Sequence, residues 1–215
     1  MSRTLLALAT SLACAAGAAL AFAPGAAAQD RPLSPAGHSA TQVAGATFDA
    51  QYGSLHGPWL DVYYGRPIKR GRDLFGLPDW AEALNDGAPV WRAGANQTTR
   101  LVTEVPLVFG ETRIEPGEYT LFIDLADEAW TFIVSAWPAQ RNYDFEDTDA
   151  LFGAFDYTAD RDVLRMPMEL ATLPVSFDQL SWQFVDMTPT AGRLALLWDN
   201  RVASVAFSVA DAGAP

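Results

Sequence analysis

EPGEYTLFIDLADEAWTFIVSA, residues 115–136, is the stretch that decides the fold. Tyr119 to Leu125 and Ala129 to Ala136 are short runs rich in aromatic and β-branched residues, and each is bounded by turn chemistry. Glu115-Pro116-Gly117-Glu118 reads as a type II turn, with Pro at i+1 and Gly at i+2. Asp127-Glu128 reverses the chain, so the two runs form a hairpin in which Trp130, Phe132 and Val134 share one face.

The same pattern repeats outward in both directions. Upstream, Thr41 to Phe48 reads as a strand. In Trp59 to Tyr64 the residues Trp59, Asp61 and Tyr63 alternate with Leu60, Val62 and Tyr64. Thr99 to Val105 and Leu107 to Phe109 follow, the latter ending at Gly110-Glu111. Downstream, strands are expected at Val163 to Leu170, Ser176 to Val185, Arg193 to Trp198 and Val202 to Val209. Asp199-Asn200 reads as a tight hairpin between the last two. Only Asp79 to Leu84 has helical character, with Asp79 as cap and Glu82 placed as in a capping box, and Asn85-Asp86-Gly87 ends it. No internal repeat is visible. Nine or ten short strands and little helix predict an all-β chain, a single antiparallel β-sandwich or jelly-roll-like domain over residues 41–210, with one long polar loop.

Residues 1–28 read as a secretory signal. Arg3 supplies a positive n-region, Leu5 to Ala23 an apolar h-region, and Ala26-Ala27-Ala28 a small-residue cleavage site. Export to the periplasm or the exterior, with cleavage near Ala28, is the expectation. The apolar run is only just long enough to span a bilayer and is followed by Pro24-Gly25, which argues against a retained anchor. Ser11 stands three residues before Cys14, where a lipoprotein signal wants Leu. Cys14 is the only cysteine, so the mature domain has no disulfide, thiolate metal site or thiol nucleophile. No later stretch is expected to cross a membrane. Residues 29–40, rich in Pro, Gly and Ser, read as a flexible leader. A formal net charge of -12 disfavours nucleic acid as a partner, since that role needs a basic face.

The cations are not evenly spread. Residues 66–100 hold Arg66, Lys69, Arg70, Arg72, Arg92 and Arg100 against four acids, in a chain where Asp and Glu otherwise dominate. Lys69 is the only lysine. Arginine offers a planar fork of donors that matches a carboxylate or phosphate in two-pronged fashion. Asn96, Thr98 and Thr99 add neutral hydrogen-bonding groups, and Trp91, Tyr63 and Tyr64 are placed to wall a pocket. The candidate ligand-binding set is Tyr64, Arg66, Arg72, Trp91, Arg92, Asn96 and Thr99, and the ligand class is small, anionic or polyhydroxy. The competing reading has the arginines pinning the long loop to an acidic sandwich through carboxylates and loop carbonyls.

Other constellations are weaker. His38 and His56 are the only histidines; a zinc site would need a carboxylate to join them, and strand-end or surface positions fit them better. Their scarcity argues against a Ser-His-Asp triad, and no phosphate-loop or dinucleotide fingerprint appears. No metal or cofactor is expected. The acidic run Asp144 to Asp162 lacks the EF-hand spacing and reads as a solvated loop or as a source of partners for the arginines. No pair among the 26 acids stands out as a glycosidase pair. Trp130, Trp137, Trp182 and Trp198 would suit sugar stacking if exposed, but at strand spacing they read as core.

YGRPIKRGRDLFG and the later VWRAGANQTT together resemble the bacterial domain of unknown function 2911 family. The family pattern Tyr-x-Arg-Pro, Gly-Arg-x-(Leu/Ile)-Phe-Gly and Trp-Arg-x-Gly-Ala-Asn-x-x-Thr falls on Tyr64, Arg66, Pro67, Gly71, Arg72, Leu74, Phe75, Gly76, Trp91, Arg92, Gly94, Ala95, Asn96 and Thr99. A turn and strand of the family matches Pro116 to Phe122. The resemblance covers Ser34 to about Val209. It implies an exported, mostly β protein and carries no catalytic residue across. The insert Leu77 to Ala88 departs from it, with Pro78-Asp79-Trp80 standing where Pro-Tyr-Gly is expected. The resulting expectation is a non-enzymatic module that binds a small ligand or an envelope partner through residues 64–99. A hydrolase using the same arginines, or a purely structural envelope protein, are the alternatives, and oligomeric state is left open.

Overall fold

The computed structural model describes residues 30, 32–45, 47–126 and 129–210. The expected signal, the Asp127-Glu128 turn and the tail beyond Ala210 lie outside them. Strands are numbered along the chain. One antiparallel sheet contains β1 (Ala36–Gln42), β4 (Trp59–Gly65), β5 (Thr99–Thr103), β8 (Gly117–Leu125), β9 (Trp130–Ser135) and β10 (Asp162–Pro167), in that order. A second contains β11 (Glu169–Val185), β12 (Ala191–Val209), β6 (Leu107–Phe109) and β7 (Thr112–Ile114), again in that order. A small hairpin pairs β2 (Thr47–Asp49) with β3 (Ser54–His56). Among the described residues, helix is confined to α1 (Trp80–Asn85) and one 3-10 turn at Ala159–Arg161.

The two large sheets face each other across a shared core. Period-2 alternation drives this: in β4, Leu60, Val62 and Tyr64 are buried while Trp59, Asp61 and Tyr63 are half-exposed. Phe132 of β9 meets Phe109 of β6 at 5.8 Å and Trp182 of β11 at 6.3 Å between ring centroids. The result is an antiparallel β-sandwich. The six-stranded sheet is also covered on its outer face. There Phe122 and Ile133 form a second cluster with Val90, Leu151, Ala154 and Tyr157. The acidic stretch is therefore not simply a solvated loop. Its Leu151, Ala154 and Tyr157 cap the outer face of β8 and β9.

Trp91 joins the layers. Residue Thr99 of β5 pairs with Leu121 of β8, and past that point this edge of β8 lacks a partner strand. Trp91 takes the place: its N–H donates to the Ile123 carbonyl at 2.8 Å, and its carbonyl accepts from the Ile123 N–H at 2.9 Å. Its ring, 2% exposed, stacks on Trp198 of β12 (6.1 Å, 15°) and meets Trp130 of β9 edge-on (6.4 Å, 80°).

Several local readings change. The first expected strand is broken by positive φ at Ala44 and Gly45, so β1 ends at Gln42 and the chain restarts as β2. The flexible-leader boundary also moves, because Ala36 onward pairs with β4. Pro116-Gly117 is no type II turn: Gly117 lacks the positive φ that turn needs and instead begins β8. The working two-residue turn is Gly110-Glu111, where Gly110 has φ 59° between paired Phe109 and Thr112. Asp199-Asn200 is not a hairpin either. A tight I′ turn needs φ > 0 at both central residues, and only Asp199 (φ 50°) has it. β12 therefore runs straight through with a bulge, and Val163 to Leu170 likewise divides at Met168 between β10 and β11. α1 forms where expected, but Asp79 makes no side-chain cap. Trp80 holds it by packing on Phe75 (5.3 Å) and Trp130 (5.8 Å).

Replacing Trp91 by alanine removes the ring that both sheets touch. Urea unfolding of Trp91→Ala is expected to show a loss of about 3–5 kcal/mol. A loss below about 1 kcal/mol would place the junction elsewhere.

Candidate functional site

Residues Gly65 to Thr98 leave the sheet edge between β4 and β5 and return, forming the polar loop with α1 inside it. Two tethers hold its first half to the four-stranded sheet. The Lys69 N–H donates to the Asp178 carbonyl at 2.6 Å, and the Leu180 N–H donates to the Pro67 carbonyl at 3.1 Å. Lys69 Nζ forms an ion pair with the Asp199 carboxylate, which also accepts from Ser176 Oγ at 2.7 Å. Asp199 has φ 50° and pairs with Phe177 between two register shifts of the β11–β12 ladder.

The second half returns against the outer layer. Thr98 Oγ1 lies 2.9 Å from the carbonyls of both Leu151 and Gly153. The Ala95 carbonyl presses so close to Gly65 that a Cβ there would sit 1.8 Å from it, so only glycine fits.

Between the halves lies a cavity of about 610 Å³, lined by Arg70, Arg72, Arg92, Asp86, Trp91 and Trp198 among others. Arg72 donates from Nε to the Lys69 carbonyl (2.9 Å) and from Nη2 to the Ile68 carbonyl (2.7 Å), clasping its own loop. Arg92 Nη2 donates to Asp86 Oδ2 at 3.1 Å. Asp86 sits at the left-handed C-cap of α1, so the helix end places that carboxylate. The Arg70 backbone N–H donates to Asp178 Oδ1 at 3.0 Å, but its guanidinium has no partner among the described residues. Arg92 Nε and the indole Nε1 of Trp198 are buried and likewise find no acceptor among them. Both atoms lie buried behind the cavity surface, so the group that faces the opening without a partner is the Arg70 guanidinium.

The sequence-derived set divides. Arg72, Trp91 and Arg92 line this cavity. Tyr64 and Asn96 line a smaller neighbouring one of about 180 Å³, and Asn96 Nδ2 donates to the Ser34 carbonyl at 3.2 Å. Arg66 lies across Gly37 beside Tyr64. Thr99 is buried and donates to the Ala93 carbonyl at 3.3 Å, a purely internal bond. Arg70 was not in the set. It sits outside the family motif, and its one mark in the sequence is its place in the run Lys69-Arg70-Gly71-Arg72. Arg100 belongs to the outer face, pairing with Glu118 (3.2 Å) and lying over Tyr63 (4.7 Å). The acids of 144–162 pair with none of the loop arginines among the described residues; Asp162 instead meets Arg165 and Tyr157. His38 pairs with Asp61 (2.6 Å) and His56 lies near Asp49 (3.9 Å), so different acids serve the two histidines. Trp130, Trp182 and Trp198 are core. Trp137 is half-buried, with Arg161 over its face at 3.8 Å.

Fold and cleft together define an antiparallel β-sandwich with an arginine-lined cavity between a tethered loop and the sheet junction. A family model, described as a protein of unknown function (DUF2911), matches residues 47–207. The chain belongs to that family. No curated protein and no solved structure gives a significant match. Among the described residues no helix is long and apolar enough to cross a membrane.

The Lys69–Asp199 pair sets a pH dependence. Burial pushes the Asp199 pKa up, but hydrogen bonds from Lys69 and Ser176, the Lys69 charge and the Asn200 N–H together bring it below its ordinary 3.8. A depressed folded pKa gives stability that is full above the unfolded value and lost as pH falls through the folded one. Lys69→Met leaves a buried carboxylate unpaired, at a cost of roughly 3 kcal/mol near neutral pH. In urea titrations that deficit is expected to narrow as pH falls through the acid range and Asp199 protonates. A deficit constant with pH would show that the pair is not its source.

Proposed function

We propose that this chain is an exported, non-enzymatic module that binds a small anion in the cavity between Arg70, Arg72 and Arg92. One observation carries the reading: the guanidinium of Arg70 lines the cavity beside Arg72 and Arg92 and has no partner among the described residues. A carboxylate or phosphate supplies the acceptor that Arg70 lacks, and charge-assisted bonds to arginine are the strong ones. Trp91 and Trp198 give the anion an apolar backing, which lowers the local dielectric and strengthens those bonds. The cavity offers donors more than acid–base machinery, since its carboxylate, Asp86, is held by Arg92. That favours binding over hydrolysis. Export rests on the pattern of residues 1–28.

Thermal unfolding in the presence of phosphate, sulfate and small carboxylates, with chloride at matched ionic strength as control, tests this. An anion at ten times its Kd is expected to raise Tm by about 3–6 °C. Arg70→Ala is the informative variant because its guanidinium supports nothing else. It should keep the ligand-free Tm and lose the shift. No shift in the native protein with any anion or sugar would overturn the proposal.

A further inference from the structure

A second cavity lies on the opposite side of the polar loop's anchor, in the segment that caps the outer face of the six-stranded sheet. It measures about 480 Å³ and is walled by the rings of Tyr143, Phe145, Phe152 and Phe155. Tyr143 and Phe145 are 67% and 77% exposed, and Phe155 is half-exposed. Aromatic rings in such numbers are normally core, and leaving them in water forgoes their burial. They are not loose. The Gln140 side chain, buried inside the loop, lies within 3.0 Å of the carbonyls of Asp144, Asp147 and Ala150 through Nε2, and its Oε1 accepts from the Asp144 N–H at 2.9 Å. The loop ends are closed by Gln140 N–H to the Leu151 carbonyl (2.9 Å) and Leu151 N–H to the Pro138 carbonyl (2.8 Å). A rigid loop thus presents its rings outward.

The ring geometry and the charge point to one chemistry. Tyr143 and Phe152 meet at 5.3 Å and 61°, giving two adjacent walls of a box. Asp144, Asp147 and Asp156 stand on the same lining. The cation of the 140–151 loop, Arg141, is drawn away to Glu118 at 2.6 Å. A hard metal ion is poorly served, because among the described residues no three His, Cys, Asp or Glu side chains converge and calcium wants six to eight oxygens. A soft, apolar cation is well served: ring faces attract it through their quadrupoles, and surrounding carboxylates add long-range attraction. We infer that the cavity formed by Tyr143, Phe145, Phe152 and Phe155 is a binding site for a quaternary ammonium group. It is separate from the arginine-lined cavity and independent of what binds there.

Isothermal titration of the full chain with choline, tetramethylammonium and 3,3-dimethylbutan-1-ol tests it, the last being choline's uncharged isostere. The two cations are expected to bind, and the neutral isostere to bind at least about tenfold more weakly. Phe145→Ala should weaken choline by about tenfold while leaving Tm unchanged, because the ring is on the surface. Asp144→Asn with Asp147→Asn keeps the acceptor oxygens that bond the loop's N–H groups and should weaken choline several-fold, more at low salt than at high. Equal affinity for choline and its isostere would reduce the site to an apolar hollow and overturn the inference. So would binding that survives Phe145→Ala, absence of any choline heat, or displacement of choline by millimolar calcium.

Discussion

Trp91 is where the two sheets, the long loop and the cavity meet. Its backbone completes the open edge of β8 at Ile123, and its ring lies on Trp198 from the opposing sheet. Backbone pairing fixes the position of residue 91 and ring packing fixes the spacing of the layers, so neither is free to adjust without the other. Arg92 then has little choice of direction. It follows a residue locked into the sheet and precedes Ala93, which has φ 52° and whose carbonyl accepts from the Trp182 indole at 2.9 Å. A local constraint in the core thereby places a charged side chain at the cavity wall.

The charge arrangement is more economical than the sequence leads one to expect. A loop rich in arginine on an acidic chain invites a picture of arginine forks on carboxylates. Instead Arg72 bonds carbonyls of its own loop, Arg92 takes a carboxylate from the end of α1, and Arg70 is left facing the cavity. The acids nearest in number, in 144–162, serve their own segment. Asp162 accepts from Tyr157 at 2.6 Å and pairs with Arg165, which also reaches Asp124 of β8 at 2.7 Å. The loop and the acidic cap share no ion pair among the described residues; they meet instead through neutral hydrogen bonds, from Thr98 to the Leu151 and Gly153 carbonyls and from Gln97 to the Arg141 carbonyl.

Much of the fold was legible, and the misses have a common cause. The alternation in Trp59 to Tyr64 and the paired apolar runs about 115–136 encode half-buried or buried strands directly. Turns were less legible, because the side chains permit a positive φ without demanding it. Pro116-Gly117 has the composition of a turn and is the mouth of a strand; Asp199-Asn200 has it too and is a bulge in a 19-residue strand. What decides each case is the partner strand and the polar groups waiting for the displaced side chain. Those are tertiary facts, as Ser176 and Lys69 around Asp199 illustrate. In the candidate site, Arg72, Trp91 and Arg92 were readable as a group of related chemistry. Thr99 was readable as polar but not as internal, and Arg70 could be told from its neighbours only once their partners were known.

The solitary lysine has a practical consequence. A protease that cuts only after lysine has one peptide bond to attack, Lys69–Arg70. Both of its flanking N–H groups are engaged by Asp178, and the Lys69 ammonium is held by Asp199. Cleavage there demands release of this corner from the sheet edge, while the sandwich can stay closed. Limited digestion with such an enzyme yields two fragments of known mass, and its rate becomes a one-site clock for the opening of the loop.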